Sequence, residues 1–401
     1  MANTLLTSDI IVKEGLAVFA NETPFLRGVN RQYDKTFQGY GAQAGQTIRV
    51  QKPIQYTTRT GKTASTQNLT EEKIDFTRAS QIGVDLAFSS AELAQDIGTF
   101  SDKYIKPAMQ TLASTIEANC LSLAYKGVNN LVGTAGTNPN SWQIIANAQA
   151  RLDNLGAPQA NRSVILNPLS RASLVNASVG YFNPQDQLRN QWVTGRMGEA
   201  AGFSFAATPN VARHTTGNFG DNTALVNDTF ASGDSAISMD DFSNATPTLK
   251  EGDVFTIANV YAVNPLTKVS TGELYQFCVG ADITGATNAI NNVTLKEAVY
   301  SSGPLQNVNA LPANDAAITF VGTASTSYAQ NIAYQRDAFI FGTVDLPLHN
   351  PATDSIQVMD GVSMRFMKYS DGRNDEIAYR FDVLYGFAVY EENFACRIVG
   401  A

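Results

Sequence analysis

The spacing of apolar residues changes several times along the chain, and each change predicts an element. In "SDIIVKEGLAVFA" the residues Ile11, Val12, Leu16 and Phe19 fall on one face of a short helix over 8–20, with Ser8 as its cap. The next stretch, "NETPFLRGVNRQYDKTFQGYGAQAG", has few large apolar residues and many turn formers, so it reads as an extended arm that needs a neighbour to lie on. Alternation then takes over in "QTIRVQKPIQYTT" (46–58) and "EEKIDFTRASQIGVDLAFS" (71–89), with a polar tip between, which predicts a long hairpin. A two-stranded ribbon is marginal alone in water, so it too asks for a partner.

Helical spacing returns after a brief helical turn over 90–97. In "SDKYIKPAMQTLASTIEANCLSLAYKG" the residues Ile105, Met109, Leu112, Ile116, Cys120 and Leu123 form one stripe, Ser101 caps it and Gly127 ends it. From 128 to 216 short units alternate: helix "SWQIIANAQARLDNLG", strand "RSVILNP", helix "LSRASLVNAS", then "GFSFAATPNV" as strand and loop. That order predicts a central sheet with helices on both faces. From 217 onward "DVFTIANVYAVNP", "ELYQFCVGADIT" and "AINNVTLKEAVY" are alternating and rich in β-branched and aromatic residues, which predicts a small antiparallel barrel. The mixed pattern resumes after Phe320, and the chain closes in strands with a turn at Ser370-Asp371-Gly372. A domain inserted into a mixed α/β domain is the simplest organisation.

Charge sharpens that division. The chain has 401 residues, of which 44% are hydrophobic and only 16% charged, against about 25% in an average soluble protein. Between 218 and 320 lie eleven acids against three bases (Lys250, Lys268 and Lys296), an excess equal to the whole chain's net charge of −8. The first 70 residues carry eight bases and four acids. Two regions of opposite sign suit separate domains, or surfaces that meet between copies. No apolar run approaches the roughly 20 residues of a membrane span.

Candidate chemistry is sparse. Cys120, Cys278 and Cys396 stand far apart, so neither a zinc site nor a disulfide framework is signalled, and buried free thiols are expected. His214 and His349 lie in stretches that read as loops, with no metal-ligand spacing. Gly61-Lys62-Thr63 matches the end of a phosphate-cradling loop, but the glycine needed five residues before that Gly-Lys is Tyr56, and the flanks lack a buried strand and a packed helix. A nucleotide-binding enzyme built on this stretch is therefore the weaker alternative, and no catalytic residue, cofactor or metal is expected.

Several segments in order carry a family resemblance: "VNRQYD", "GAQAGQTIRVQKP", "VDLAFSSAEL", "FSDKYIKPAMQTLASTIEAN", and the C-terminal "RDAFIF", "LPL", "DGVSMRF" and "YRFDVLYGFAVY". Together they resemble the major coat proteins of short-tailed double-stranded DNA phages, and "LKEGDVFTIANVYAVNPLTK" is similar to the insertion domain of that family. The resemblance implies an α+β chain with the tailed-phage capsid fold. Its parts would be an N-terminal arm (1–41), an extended β-hairpin loop (42–86), a peripheral domain with a long spine helix (87–130), and an axial α/β domain (131–215 and 315–350). An inserted antiparallel β-barrel (216–314) and C-terminal strands of the peripheral domain (351–401) would complete it. It implies a structural subunit, not an enzyme, that self-assembles into hexamers and pentamers of an icosahedral head. The expected partners are a scaffolding protein, since no scaffold-like segment precedes the arm, a portal protein, and packaged double-stranded DNA held weakly and non-specifically. The expected location is the virion, assembled in the bacterial host cytoplasm without a membrane. Another phage shell or tail component is the remaining alternative. Arg59 and Lys62, with Glu71 and Glu72 flanking the loop tip, are the candidate contacts between subunits.

Overall fold

The structure is a computed structural model that describes residues 8–31, 48–59, 61–63, 73–76, 78–89, 104–178, 199–350, 354–371 and 376–401. The cap at Ser101, the helical turn over 90–97 and Gly372 lie outside the described residues, while Ser370 and Asp371, expected in the closing turn, are strand residues paired with Ile377 and Glu376. Two compact units divide the chain: Met1–Val50, Ile74–Cys120 and Phe339–Ala388 in one, and Gln51–Lys73, Leu121–Ala338 and Val389–Ala401 in the other.

In the first unit, helix α1 (Ser8–Glu22) buries the predicted face, with Ile11, Val12, Leu16 and Phe19 all inside. It lies on strands Ser355–Met359 and Val362–Asp371. The start of the expected extended arm is instead helix α2 (Pro24–Gly28), with proline at its first turn, where the missing N–H costs nothing, and with Phe25 and Leu26 buried. Helix α3 (Lys106–Lys126) begins in this unit and buries Met109, Leu112, Ile116 and Cys120. At 3.6 residues per turn the stripe drifts, so the sixth predicted member, Leu123, is 49% exposed and Ala124 takes the inward position.

The five-stranded sheet of this unit contains Phe339–Val344, Ser355–Met359, Val362–Asp371, Glu376–Val389 and Arg78–Ser89, the last four paired antiparallel. The hairpin expectation meets its main change here. Among the described residues only Ile48–Gln51 and Lys73–Phe76 pair as a ribbon; from Arg78 the second limb runs antiparallel to Glu376–Val389, with Gly83 opposite Asp382. The sheet offers this limb a ladder running from Arg78 to Ser89, with Ile82, Val84 and Leu86 half-buried and Phe88 buried on one face, and the longer pairing wins. Gly83 is required at its position: a Cβ there would stand 2.5 Å from Asp382 Oδ1 and 2.6 Å from the Phe381 carbonyl oxygen. Asp382 is fully buried and takes Arg365 Nη2 at 2.6 Å and Arg380 Nε at 2.9 Å.

In the second unit, helix α4 (Trp142–Asn154) is capped by Ser141, whose hydroxyl accepts the Gln143 N–H at 3.1 Å, and helix α5 (Pro168–Ser178) follows strand Arg162–Leu166. The mixed sheet runs Leu131–Val132, Ala395–Val399, Ser327–Gln335, Arg162–Leu166, Phe203–Ala207, Glu199–Ala200, with Arg213–Thr215 also paired to Ser327–Gln335. His214 therefore sits on a strand and is buried, not on a loop.

The prediction of helices on both sheet faces is corrected by side-chain alternation. Ala333, Cys396 and Ile398 pack with Ile145 and Leu152 of α4 and Leu174 of α5. Residues of opposite parity, Leu131, Tyr328 and Val399, pack instead with Val254 and Val321. One face is covered by helices and the other by the all-β segment.

That segment surrounds a core containing Phe219, Phe242, Phe255, Phe277 and Phe320. Its strands form three small antiparallel sheets: Leu225–Val226, Ala236–Asp240 and Ile290–Thr294; Thr248–Leu249 and Ile283–Thr284; and Val254–Val263, Ser270–Cys278 and Ile318–Phe320. Isolated bridges at Leu225–Ala317 and Val279–Leu295 link them further. Where the segment leaves and rejoins the sheet, the Thr216 N–H donates to the Thr326 carbonyl at 3.0 Å and the Thr216 hydroxyl to the Thr323 carbonyl at 2.6 Å.

Candidate intersubunit site

The predicted loop tip is exposed: Tyr56 at 59%, with Arg59, Gly61, Lys62 and Thr63 also open to solvent. Gly61 has φ +104, a conformation that favours glycine, and this bends the chain. The Arg59 guanidinium closes the bend by donating to the carbonyls of Gly61 and Thr63, the latter at 3.1 Å. A phosphate cradle needs backbone N–H groups turned inward, whereas this bend turns carbonyls toward a cation. The geometry is the wrong polarity for a nucleotide. Glu71 and Glu72 lie outside the described residues. Of the four candidates, then, Arg59 is spent on shaping the tip and Lys62 projects as an exposed cation.

Sequence reasoning missed the chemistry at the base of this segment. The Lys52 ammonium lies 3.0 and 3.2 Å from the two oxygens of Glu392, the Tyr390 hydroxyl donates to the Gln51 carbonyl at 3.0 Å, and Lys268 Nζ donates to Gln55 Oε1 at 3.1 Å. Burial pulls the Lys52 ammonium down, but Glu392, Glu391 and Glu297 together hold it above the ordinary lysine value. Glu297 has its Oε2 bonded by the Tyr275 hydroxyl at 2.6 Å and by Asn129 Nδ2 at 3.2 Å. Burial first, then the neighbouring Glu392, pushes its carboxyl up to about 7, against the opposing pull of the Tyr275 hydrogen bond and Lys52. The only signal in the sequence was the paired Glu391-Glu392 after an apolar strand, a pattern that ordinarily marks a solvated end.

A second buried polar knot holds the root of the all-β segment. Asp253 accepts from the N–H groups of Gly217 at 3.1 Å and Lys250 at 2.7 Å, and its other oxygen lies 2.7 Å from His214 Nε2. Arg397, fully buried, donates to the Gly252 carbonyl at 2.8 Å and to Cys278 Sγ at 3.4 Å. Cys120, Cys278 and Cys396 are free and buried, as expected, and burial pushes the Cys396 thiol up to about 12. Among the described residues no cluster of metal-ligating side chains occurs, and no helix is long and apolar enough to cross a membrane.

Residues 1–396 match the family described as P22 coat protein, gene protein 5. A curated relative, the major capsid protein of Acyrthosiphon pisum secondary endosymbiont phage 1, is 22% identical over 432 residues, covering 100% of both chains. Among solved structures, one from Mycobacterium phage Che8 is similar with a TM-score of 0.50 and 11% identity, covering 94% of this chain and 90% of that one. The capsid structure of cyanophage P-SCSP1u is similar with a TM-score of 0.45 and 10% identity, covering 91% and 85%. The fold is the mixed α+β fold of tailed-phage capsids, in agreement with the expectation from sequence. The match across nearly the full length places this protein in the P22 coat protein family.

Proposed function

We propose that this chain is the major capsid protein of a bacteriophage and builds its icosahedral shell. The carrying observation is the family match over residues 1–396. Copies would form hexamers and pentamers on a scaffolding protein, admit a portal protein at one vertex, and enclose double-stranded DNA held weakly and non-specifically. The net charge of −8 argues against tight DNA binding. The segments then take the roles expected from the resemblance: arm over 1–41, extended loop over 42–86, peripheral domain with spine helix over 87–130, and axial domain over 131–215 and 315–350. The inserted barrel would span 216–314 and the peripheral strands 351–401. The virion is its location, after assembly in the host cytoplasm. Electron microscopy of the chain coexpressed with its scaffolding protein should show closed shells; rings or tubes would favour a tail component instead.

Lys62 is the loop cation offered to a neighbouring subunit, with Arg59 shaping the tip and Glu71 and Glu72 as further contacts. An exposed ion pair is worth only about 0–1 kcal/mol, but one contact repeated at every lattice position acts on assembly many times over. Lys62→Glu should lower the yield of sedimenting shells several-fold while the unassembled subunit keeps its melting temperature. Normal shell yield would remove Lys62 from the interface.

A further inference from the structure

The turn joining strands Val254–Val263 and Ser270–Cys278 is built inside out. Its polar groups are spent on its own backbone and on the body of the second unit. The Asn264 side chain accepts the Leu266 and Thr267 N–H groups at 2.9 and 3.1 Å, and donates to the Asn154 carbonyl at the end of α4 at 2.7 Å. The Asn264 N–H closes the turn on the Val269 carbonyl at 2.9 Å, and the Lys268 N–H returns to the Asn264 carbonyl at the same distance. Lys268 lies at φ +57, and its ammonium donates to the carbonyls of Pro304 and Gln306 and to Gln55 Oε1. What the turn shows to solvent is apolar: Leu266 is 74% exposed and Val269 63%, and Leu274 on the returning strand is 36% exposed. Single exposed apolar side chains are ordinary on a protein surface, but two at the head of one turn whose polar side chains face inward make a presented surface.

Charge selects the partner. The all-β segment carries eleven acids against three bases over 218–320, and the whole chain has a net charge of −8, so copies that approach through this segment repel one another. No acid stands between Asp253 and Glu273, and the one base there, Lys268, is turned inward. The turn is neutral, apolar ground on an acidic segment, where another copy can come close without like charges meeting. Held from within by its own hydrogen bonds, it loses little freedom on contact, so the apolar area it buries goes into binding. We propose that the turn over 264–270 is a preformed apolar contact, made through Leu266 and Val269 with a second copy of this chain, an inference that rests on the reading of the protein as a shell subunit. Unlike a contact through Lys62, it is not screened by salt.

In the full-length chain coexpressed with its scaffolding protein, p-benzoylphenylalanine in place of Val269 should on irradiation join two copies of the chain in sedimenting shells, and none in the unassembled subunit. Leu266→Ser combined with Val269→Ser should lower the yield of shells by at least about tenfold, because two apolar side chains no longer leave water on contact. Both side chains are exposed, so the unassembled double variant should keep its melting temperature; if it melts lower, the photoproduct alone decides. Where the unsubstituted chain forms shells, three results would overturn the contact and leave the shell reading standing: an undiminished yield from the double variant, a photoproduct with the scaffolding chain in place of a second copy, or no photoproduct. An unsubstituted chain that forms no closed shells would remove both.

Discussion

Replacing Asp382 by alanine should destabilise the first unit by about 3–5 kcal/mol, the usual cost of breaking a buried charge pair from one side. The carboxylate is completely enclosed, and Arg365, which is 6% exposed, reaches it at 2.6 Å while donating its other nitrogen to the Pro347 carbonyl at 2.8 Å. Removing the anion strands that guanidinium inside the sheet. Burial alone would raise the Asp382 carboxyl, but hydrogen bonds from Arg365, Gln81 and Arg380 outweigh it and hold the group below the ordinary aspartate value. Its stabilising contribution is thus present above about pH 4 and lost as pH falls below that. Urea unfolding should show a lower midpoint for Asp382→Ala at pH 7, with the gap to the unsubstituted chain narrowing in acid. An unchanged midpoint at pH 7 would mean the pair contributes nothing.

Phe320→Ala should cost a similar amount, about 3–5 kcal/mol, through a different mechanism. Phe320 is 3% exposed; its ring stacks on Phe219 at 4.5 Å and meets Phe255 at 5.5 Å and Phe242 at 6.1 Å. Its strand also pairs with Val254–Val263, placing it directly across from Phe255. Truncation leaves a cavity where several rings converge, and close-packed aromatic neighbours collapse into such a space poorly. Hydrogen exchange should accelerate over 219–320 before it does in strand Arg162–Leu166. Equal acceleration in both would show that the segment and the mixed sheet unfold as one.

The parts of the fold that periodicity reveals were legible: the face of α1, the span of α4, strand Arg162–Leu166, and the closing strands themselves, though not where they turn. The partner of a strand was not. The limb beginning at Arg78 alternates equally well against the ribbon or against Glu376–Val389, and alternation says only that one side is covered, not by what. The same limit hid the cover on the second face of the mixed sheet, since Leu131, Tyr328 and Val399 look alike whether a helix or Val254 sits above them. Of the candidate contacts, the exposure of Lys62 was legible from its polar setting, but the turn of Arg59 onto its own loop was not. The Glu297 cluster was invisible for a plainer reason. Each of its charges is flanked by residues that suit a solvated surface, and only long-range folding brings 52, 297 and 391–392 together.

The pair of hydrogen bonds between Thr216 and residues 323–326 means that more than a hundred residues depart and return through one doorway. Joined ends make such a stretch exchangeable in principle: a short linker across the doorway would leave every strand of the mixed sheet paired. The roof resists the exchange. Lifting the segment away uncovers Leu131, Tyr328 and Val399, so a lineage that lost or gained it would have to trade greasy for polar side chains at those three positions in the same step.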